Sequence, residues 1–218
     1  MQSPFFLKLN TFCVKSLLVL CLIISAAITW QSVYIVRGQS QTRLLIIVPI
    51  IILIGLLFLL IGYISNKYMS KLIFTISLII LAFSIRLIWV LNIQTPVESD
   101  FAMMYNGAVQ ATKGDFSFAQ STYYTSWVYQ LGFTMYQAFI INLFGEGTFL
   151  LKFLNVLYCT GTTLLVYKIT SHIFNEWSGR VAGLLYAIYI PSIVLSSVLT
   201  NQHLATFLFY LGFYLLIT

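Results

Sequence analysis

The residues with the clearest capacity for chemistry lie in one polar stretch, Pro96 to Phe133. Three of the chain's five acidic residues fall within it: Glu98, Asp100 and Asp115. The sequence on either side is mostly apolar, so polar chemistry has to take place here. Segments of this length between packed elements are usually functional or disordered, and this one carries signals of ordered structure.

Asp100 is the sharpest candidate for a catalytic side chain. Ser99 is a suitable cap for a helix that starts near Asp100, and Lys113-Gly114 predicts where that helix ends. A carboxylate at a helix start accepts backbone N–H bonds and stays ionised, so it can serve as a general base for a hydroxyl. The alternative is that Asp100 only caps the helix, its charge solvated at a membrane surface. On pattern alone this plainer role is the more frequent one.

Arg86 interrupts the apolar run before this stretch, about one turn from the end of that run. A cation inside a membrane segment is a functional-site hypothesis by default, and a guanidinium suits phosphate. The position equally allows the side chain to snorkel to the outer head groups. The sequence weighs the two interpretations evenly.

Aromatic and polar side chains follow Asp100 in the same stretch. Four aromatic residues lie close together: Tyr123, Tyr124, Trp127 and Tyr129. They suit stacking on a sugar or a lipid head group, or an interfacial aromatic belt, which is the commoner role. Four polar residues then recur at spacings of four, four and three: Ser126, Gln130, Thr134 and Gln137. This stripe predicts a helix over Trp127 to Phe144 whose polar face meets a cavity or water.

The composition is that of an integral membrane protein. The chain has 218 residues, of which 60% are hydrophobic and 7% charged, whereas soluble domains carry about 25% charged residues. The net charge of +6 is spread over helix ends and does not indicate a nucleic-acid partner. The predicted spans are Ser16 to Val36, Leu44 to Ile64, Leu72 to Leu91, Phe149 to Tyr167, Val181 to Leu199 with a kink at Pro191, and Leu204 to Thr218.

Three minor features predict packing rather than chemistry. The cysteines Cys13, Cys21 and Cys159 have no metal spacing and are interpreted as packing residues. His203 has no histidine partner nearby, which favours a structural role. The segment from Gly179 to Gly183 has the spacing of small residues that lets helices approach closely.

Topology depends on whether Trp127 to Phe144 crosses the membrane or lies in its interface. If it crosses, the loop around Lys168 joins the side of Asp100. If it lies flat, the basic residues Lys8, Lys15, Lys67, Lys71, Lys168 and Arg180 share one side. The acids Glu98, Asp100, Asp115 and Glu146 then share the other. The positive-inside rule therefore favours the flat arrangement, with the acidic loop outside the cell.

The order of features from Leu72 to Thr218 resembles the GT-C membrane glycosyltransferases of the protein-O-mannosyltransferase-like (dolichyl-phosphate-mannose) class, in their bacterial form. These features are a span with Arg86, then Pro96, Ser99-Asp100, Tyr105, Gly114-Asp115, a Tyr/Trp-rich helix, a span ending in the basic residues Lys168 to Arg180, Pro191 and a Thr200-Asn201 turn.

The resemblance implies an all-α, polytopic transmembrane bundle with interfacial helices in its outer loop. Residues 72–218 would form the GT-C-like portion, with the outer loop at 93–148, and residues 1–71 would add two N-terminal spans. Members of the family are longer, and this chain stops inside an apolar segment. The resemblance therefore implies a fragment, a truncated form or a degenerate copy, and a fragment would be inactive if the missing spans complete the site.

The resemblance also implies a reaction, the transfer of a sugar from a polyprenyl phosphate to an acceptor hydroxyl on the outer face of the cell membrane. The acceptor would be a cell-envelope glycan, a lipid or a protein. Asp100 would be catalytic, and the substrate-binding residues would be Arg86, Glu98, Tyr105, Tyr124, Trp127 and Gln130. A divalent metal is compatible with the chemistry, but no spacing indicates one, and no other cofactor is indicated. The alternative is a non-catalytic membrane subunit or flippase-like protein whose outer loop only binds lipid head groups.

Overall fold

The computed structural model describes residues 41–218 and four isolated N-terminal positions, 16, 19, 20 and 23. For residues 41–51 it describes the backbone only, except at Pro49, where the side chain is described as well. Apart from those four positions, the predicted span Ser16 to Val36 lies outside the described residues, as do Cys13 and Cys21. The chain divides into two units, Met1–Leu57 and Phe58–Thr218, and all regular secondary structure in the described residues is helical.

The described helices follow one another with short connections. They are α1 (Gln41–Tyr68), α2 (Lys71–Asn92), α3 (Ser99–Thr112), a 3-10 turn (Ser117–Gln120), α4 (Thr122–Ser126), α5 (Gln130–Phe144), α6 (Thr148–Ile173), α7 (Glu176–Ala187), α8 (Ile190–Leu195) and α9 (Gln202–Ile217).

Two of the described helices are long and apolar enough to cross a membrane. They are α2, with 22 residues, and α6, with 26 residues, which correspond to lengths of about 33 and 39 Å at 1.5 Å per residue. Helix α2 matches the predicted span Leu72 to Leu91 to within one residue at each end, whereas α6 starts one residue before the predicted span Phe149 to Tyr167 and ends six residues after it. Helix α9 and the part of α1 from Ile52 to Tyr68 are shorter apolar helices. These assignments rest on length and composition alone.

The prediction of one kinked span over Val181 to Leu199 is wrong. Helix α7 ends at Ala187, and a separate helix, α8, starts at Ile190 with Pro191 in its first turn. Proline has no N–H for the carbonyl four residues earlier, and its ring clashes with that carbonyl. The carbonyl in question belongs to Ala187, so the backbone breaks there instead of bending.

Helix α6 packs against α2, α7 and α9. Helices α2 and α6 run in opposite directions, because Phe74 near the start of α2 contacts Tyr167 near the end of α6, with ring centroids 5.3 Å apart. At the other end, Lys152 Nζ donates a 3.0 Å hydrogen bond to the carbonyl of Thr95. The loop that leads to Asp100 and the start of α2 at Lys71 therefore lie at opposite ends of this helix pair.

Two glycines let α7 lie close against α6 and α2. A Cβ at Gly179 would collide with the Ser171 side chain and lie 2.8 Å from the Tyr167 carbonyl oxygen. A Cβ at Gly183 would lie 2.9 Å from Leu78. The predicted close helix approach from Gly179 to Gly183 is confirmed, since a side chain at either position would separate the helices.

Helices α3 and α5 form a second packed pair around the buried residues Ala108, Ala138 and Ile141. The predicted helix over Trp127 to Phe144 is shorter than expected, because α5 begins at Gln130 and Ser126 belongs to α4. Two members of the polar stripe, Thr134 and Gln137, are both 0% exposed and lie in the protein interior. Gln130 is partly buried, and Ser126 is exposed.

Candidate functional site

Helix α3 presents Asp100 in its first turn, but Ser99 does not cap it. Glu98 occupies the cap position and makes no side-chain cap hydrogen bond. Ser99 is the first helical residue, with a φ of 51° in the left-handed region. That conformation costs an L-residue about 1–2 kcal/mol, so backbone strain lies directly beside Asp100. The predicted end of the helix is confirmed, since α3 stops at Thr112 and Gly114 has a φ of 80°.

The Asp100 carboxylate is available to a ligand. The residue is exposed, and it forms no ion pair with any described residue. Its position in the first helical turn places its negative charge at the positive end of the α3 dipole. Asp115, by contrast, is engaged locally. Its Oδ1 accepts a 2.9 Å hydrogen bond from the backbone N–H of Ser117, and this bond lowers the pKa of Asp115.

Tyr123 lies near Asp100 and has an unusual hydroxyl. Burial raises the pKa of Tyr123 to about 12, and the negative charge of Asp100 contributes to the same shift. The Tyr123 hydroxyl oxygen is buried and lacks a hydrogen-bond partner among the described residues. A buried hydroxyl without a partner is destabilising. The site therefore combines an exposed carboxylate with a buried hydroxyl that has no hydrogen-bond partner among the described residues.

Tyr124 is part of the protein interior rather than the ligand-facing surface. It is 1% exposed, and its hydroxyl bonds the Met103 carbonyl at 3.1 Å and the Thr134 hydroxyl at 2.8 Å. Gly107 makes room for it, because a Cβ there would lie 2.8 Å from this hydroxyl. Tyr124 joins α3 to α5, and its hydrogen-bonding capacity is committed to that role.

The other aromatic candidates differ in their exposure. Trp127 is 51% and Tyr129 66% exposed, and their rings meet edge to face with centroids 6.0 Å apart. They are free to stack on a ligand. Tyr105 is partly buried and packs against the core of the α3–α5 pair. Glu98 is exposed beside Asp100.

Gln130 links this loop to the turn before α9. Its Oε1 accepts a 2.9 Å hydrogen bond from Asn201 Nδ2, 71 residues further along the chain. The turn around Asn201 therefore lies at the same end of the protein as the acidic loop. The side chain of Gln130 serves this connection in the structure.

Lys152 is a candidate that the sequence reasoning missed. It is 8% exposed, and its only hydrogen bond within the described residues goes to the Thr95 carbonyl, which leaves two of its three N–H donors free. It lines a cavity of about 380 Å³ together with Val90, Ile93, Gln94, Thr95, Pro96, Thr148 and Phe149. The cavity opens beside the segment that leads to Asp100.

A spacing signal for Lys152 does exist in the sequence. Lys152, Asn155 and Cys159 follow at intervals of three and four, and all three are buried. They mark one polar face of α6 that is directed inward. In a helix surrounded by apolar residues, polar side chains point towards the protein rather than away from it.

Arg86 is placed differently from either sequence-based interpretation. It is 0% exposed, so the side chain does not extend to the protein surface as snorkelling requires. Its Nη1 donates to the carbonyls of Ala82 (3.0 Å) and Ala187 (2.9 Å), and its Nη2 donates to the Tyr186 carbonyl (3.1 Å) and the Ser192 hydroxyl (3.2 Å). Arg86 therefore fills the place of the N–H that Pro191 lacks. Contact with a donor phosphate would require it to leave these partners.

Cys159 and His203 form a buried pair near Arg86. The Cys159 sulfur lies 3.1 Å from His203 Nδ1, and both side chains are buried. This contact agrees with the predicted packing role of the cysteine and the structural role of the histidine. Within the described residues, no three His, Cys, Asp or Glu side chains come together in a way that could hold a metal ion.

No family model, no curated protein and no solved structure matches this chain. The resemblance to GT-C glycosyltransferases stays a prediction from the sequence.

Proposed function

We propose that this chain is a polytopic membrane glycosyltransferase that moves a sugar from a polyprenyl phosphate to an acceptor hydroxyl on the outer face of the cell membrane. The observation that carries the proposal is the free carboxylate of Asp100 at the same end of the protein as the lysine-lined cavity. Pro96 lines that cavity and lies four residues before Asp100. Four residues span at most about 14 Å, which a donor head group and an acceptor together can bridge.

The chemistry assigns separate tasks to Asp100 and Lys152. Asp100 removes the proton from the acceptor hydroxyl while the hydroxyl oxygen attacks the anomeric carbon of the sugar. The bond between that carbon and the phosphate oxygen breaks, and the phosphate leaves with the electron pair. Because the acceptor attacks from the side opposite the phosphate, the configuration at the anomeric carbon is inverted. Lys152 neutralises the charge that develops on the leaving phosphate. The exposed rings of Trp127 and Tyr129 stack on the sugar.

Lys152 replaces Arg86 as the phosphate-binding cation in this proposal. The guanidinium of Arg86 is occupied by four acceptors, whereas Lys152 has free donors beside a cavity. A single charge-assisted hydrogen bond contributes about 1.5–3 kcal/mol. We therefore expect Lys152→Gln to lower kcat/KM for the donor by about 10- to 100-fold, since 1.4 kcal/mol is a factor of ten.

The measurement is transfer of labelled sugar from polyprenyl phosphate, with donor concentration varied, in membranes containing the full-length protein. Lys113→Gln is the matched control, because Lys113 is an exposed lysine of the acidic loop that pairs with Glu146. An unchanged kcat/KM in Lys152→Gln, or an equal loss in Lys113→Gln, would remove Lys152 from the site.

The membrane arrangement in this proposal places the acidic loop outside and lays α5 along the outer interface. Helix α5 has 15 residues, about 22 Å at 1.5 Å per residue, which is shorter than the apolar core of a bilayer at about 30 Å. At the opposite end, Lys71 pairs with Glu176, and Lys168 and His172 line the same cavity as Lys71. The positive-inside rule assigns that basic end to the cytoplasm.

Labelling of single cysteines tests this arrangement. In a cysteine-free background, we expect Gly147→Cys to react with an impermeant maleimide in intact cells and Ser178→Cys to be protected until the cells are opened. Gly147 is exposed and has open space around it, so the substitution fits. The opposite pattern would reverse every assignment of side after Phe144.

The alternative is a membrane protein whose outer loop binds lipid head groups without catalysis. It keeps the same cavity and the same exposed aromatics but gives Asp100 no chemical task. Binding of polyprenyl phosphate without sugar transfer by the full-length protein would favour it.

A further inference from the structure

A second cavity lies at the end of the α2–α6 pair opposite Asp100. Its volume is about 440 Å³, and it is lined by Lys71, Thr75, Tyr167, Lys168, Ser171, His172, Glu176 and Tyr214. We call this the basic pocket. Helix α2, with 22 residues, separates the two ends by about 33 Å. The basic pocket therefore shares no residue with the proposed transfer site.

Positive charge exceeds negative charge in the basic pocket. Its one carboxylate, Glu176, accepts hydrogen bonds from Arg180 Nε at 2.9 Å and the Tyr167 hydroxyl at 2.7 Å, and lies 3.5 Å from Lys71 Nζ. Arg180 alone neutralises this carboxylate, which leaves Lys71 in excess. Lys168 has no carboxylate partner among the described residues, and its Nζ lies 5.5 Å from the centre of the Tyr214 ring.

A hydroxyl and an imidazole complete the lining. Ser171 contributes a buried hydroxyl that has no hydrogen-bond partner within the described residues. His172 is exposed one residue further along. Ammonium groups and hydroxyls are the donors that bind phosphate oxygens. A volume of this size also falls within the usual range for small-ligand sites.

We propose that the basic pocket binds a phosphate group, carried either by an anionic lipid head group or by a soluble phosphate compound. Lys168 and Lys71 supply the charge, and the Ser171 hydroxyl and the His172 ring supply further donors to the phosphate oxygens. The lysine stems and the Tyr214 ring cover the apolar part of the ligand. This inference does not rest on the glycosyltransferase proposal and can fail or succeed separately.

The test uses the purified full chain in a neutral detergent, with thermal unfolding as the readout. Three ligands are titrated: inorganic phosphate, phosphatidylglycerol and phosphatidylcholine. We expect phosphatidylglycerol or inorganic phosphate to raise Tm, and phosphatidylcholine not to do so. Lys168→Gln and Lys71→Gln should each weaken the apparent affinity roughly fivefold, because one lysine near an anionic surface typically strengthens binding by about that factor.

Lys113→Gln is a closely matched control for Lys71→Gln. Both lysines are exposed, and each lies 3.5 Å from a glutamate carboxylate, but Lys113 is in the acidic loop. A response to phosphatidylglycerol alone identifies a lipid head group, and a response to inorganic phosphate as well identifies the phosphate group itself. The proposal is overturned if neither ligand raises Tm, or if Lys113→Gln weakens binding as much as Lys168→Gln.

Discussion

Asp100→Asn is expected to reduce sugar transfer by the full-length protein by about 10²- to 10⁴-fold, the contribution of a positioned general base. Asparagine keeps the size and the hydrogen-bonding oxygen of aspartate but cannot take a proton from the acceptor hydroxyl. The carboxylate is exposed at the start of α3, so the substitution should leave the fold intact. The measurement is the initial rate of labelled-sugar transfer at saturating donor.

Asp115→Asn is the control for this result. Asp115 lies in the same loop, but its Oδ1 accepts the Ser117 N–H, and an asparagine oxygen can accept the same bond. We expect its transfer rate to stay close to that of the unaltered protein. Full activity in Asp100→Asn would end the assignment of Asp100 as base and leave the loop with a binding role only.

Arg86→Gln is expected to lower the free energy of unfolding by several kcal/mol, because each buried acceptor left without a donor costs about 1–3 kcal/mol. The shorter amide cannot reach all the acceptors of the guanidinium, and the Ala187 carbonyl loses the donor that replaces the missing N–H of Pro191. Unfolding of the purified protein in detergent measures the effect. The free energy of unfolding of Arg86→Lys should fall between those of the unaltered protein and Arg86→Gln, because lysine keeps the charge but loses the planar fork.

Stability and donor affinity, measured on the same Arg86 variants, distinguish a structural role of Arg86 from a role in binding the donor phosphate. Lys113→Gln should change stability by less than about 0.5 kcal/mol, as is usual for surface substitutions. If Arg86→Gln folds with normal stability while donor affinity falls, Arg86 contacts the donor phosphate and the interior role is wrong. If stability falls and the remaining folded protein binds donor normally, the interior role stands.

Local features of the fold could be predicted from the sequence where the deciding chemistry is local. The end of α3 at Thr112 follows from Lys113-Gly114, because glycine adopts a positive φ without strain. The bounds of α2 and the start of α6 follow from their apolar length, but α6 continues six residues past the predicted Tyr167 to Ile173. The start of α3 lies one residue from the predicted Asp100, but Ser99 is helical and does not cap it, and no propensity predicts its positive φ.

The polar side chains show why the candidate site was only partly predictable. A polar stripe in α5 indicates a helix with two unlike faces, but the pattern is the same whether the polar face meets water or protein. Thr134 and Gln137 turn out to be buried. In the same way, the sequence pattern around Lys152 predicts only the boundary of a span. The structure directs its side chain inward, beside a cavity.

The amino-acid sequence by itself determined that the described part of this protein is helical and apolar, because helix periodicity and end signals act within a few residues. Only the tertiary structure decided which of two buried cations, Arg86 or Lys152, keeps unused hydrogen-bond donors beside a cavity. Arg86 meets Ala187 across 101 residues, and Lys152 meets Thr95 across 57. Contacts at such separations depend on how each helix is rotated about its axis, which is set by packing against its neighbours. That packing gave Arg86 four acceptors and left Lys152 with donors beside an open cavity.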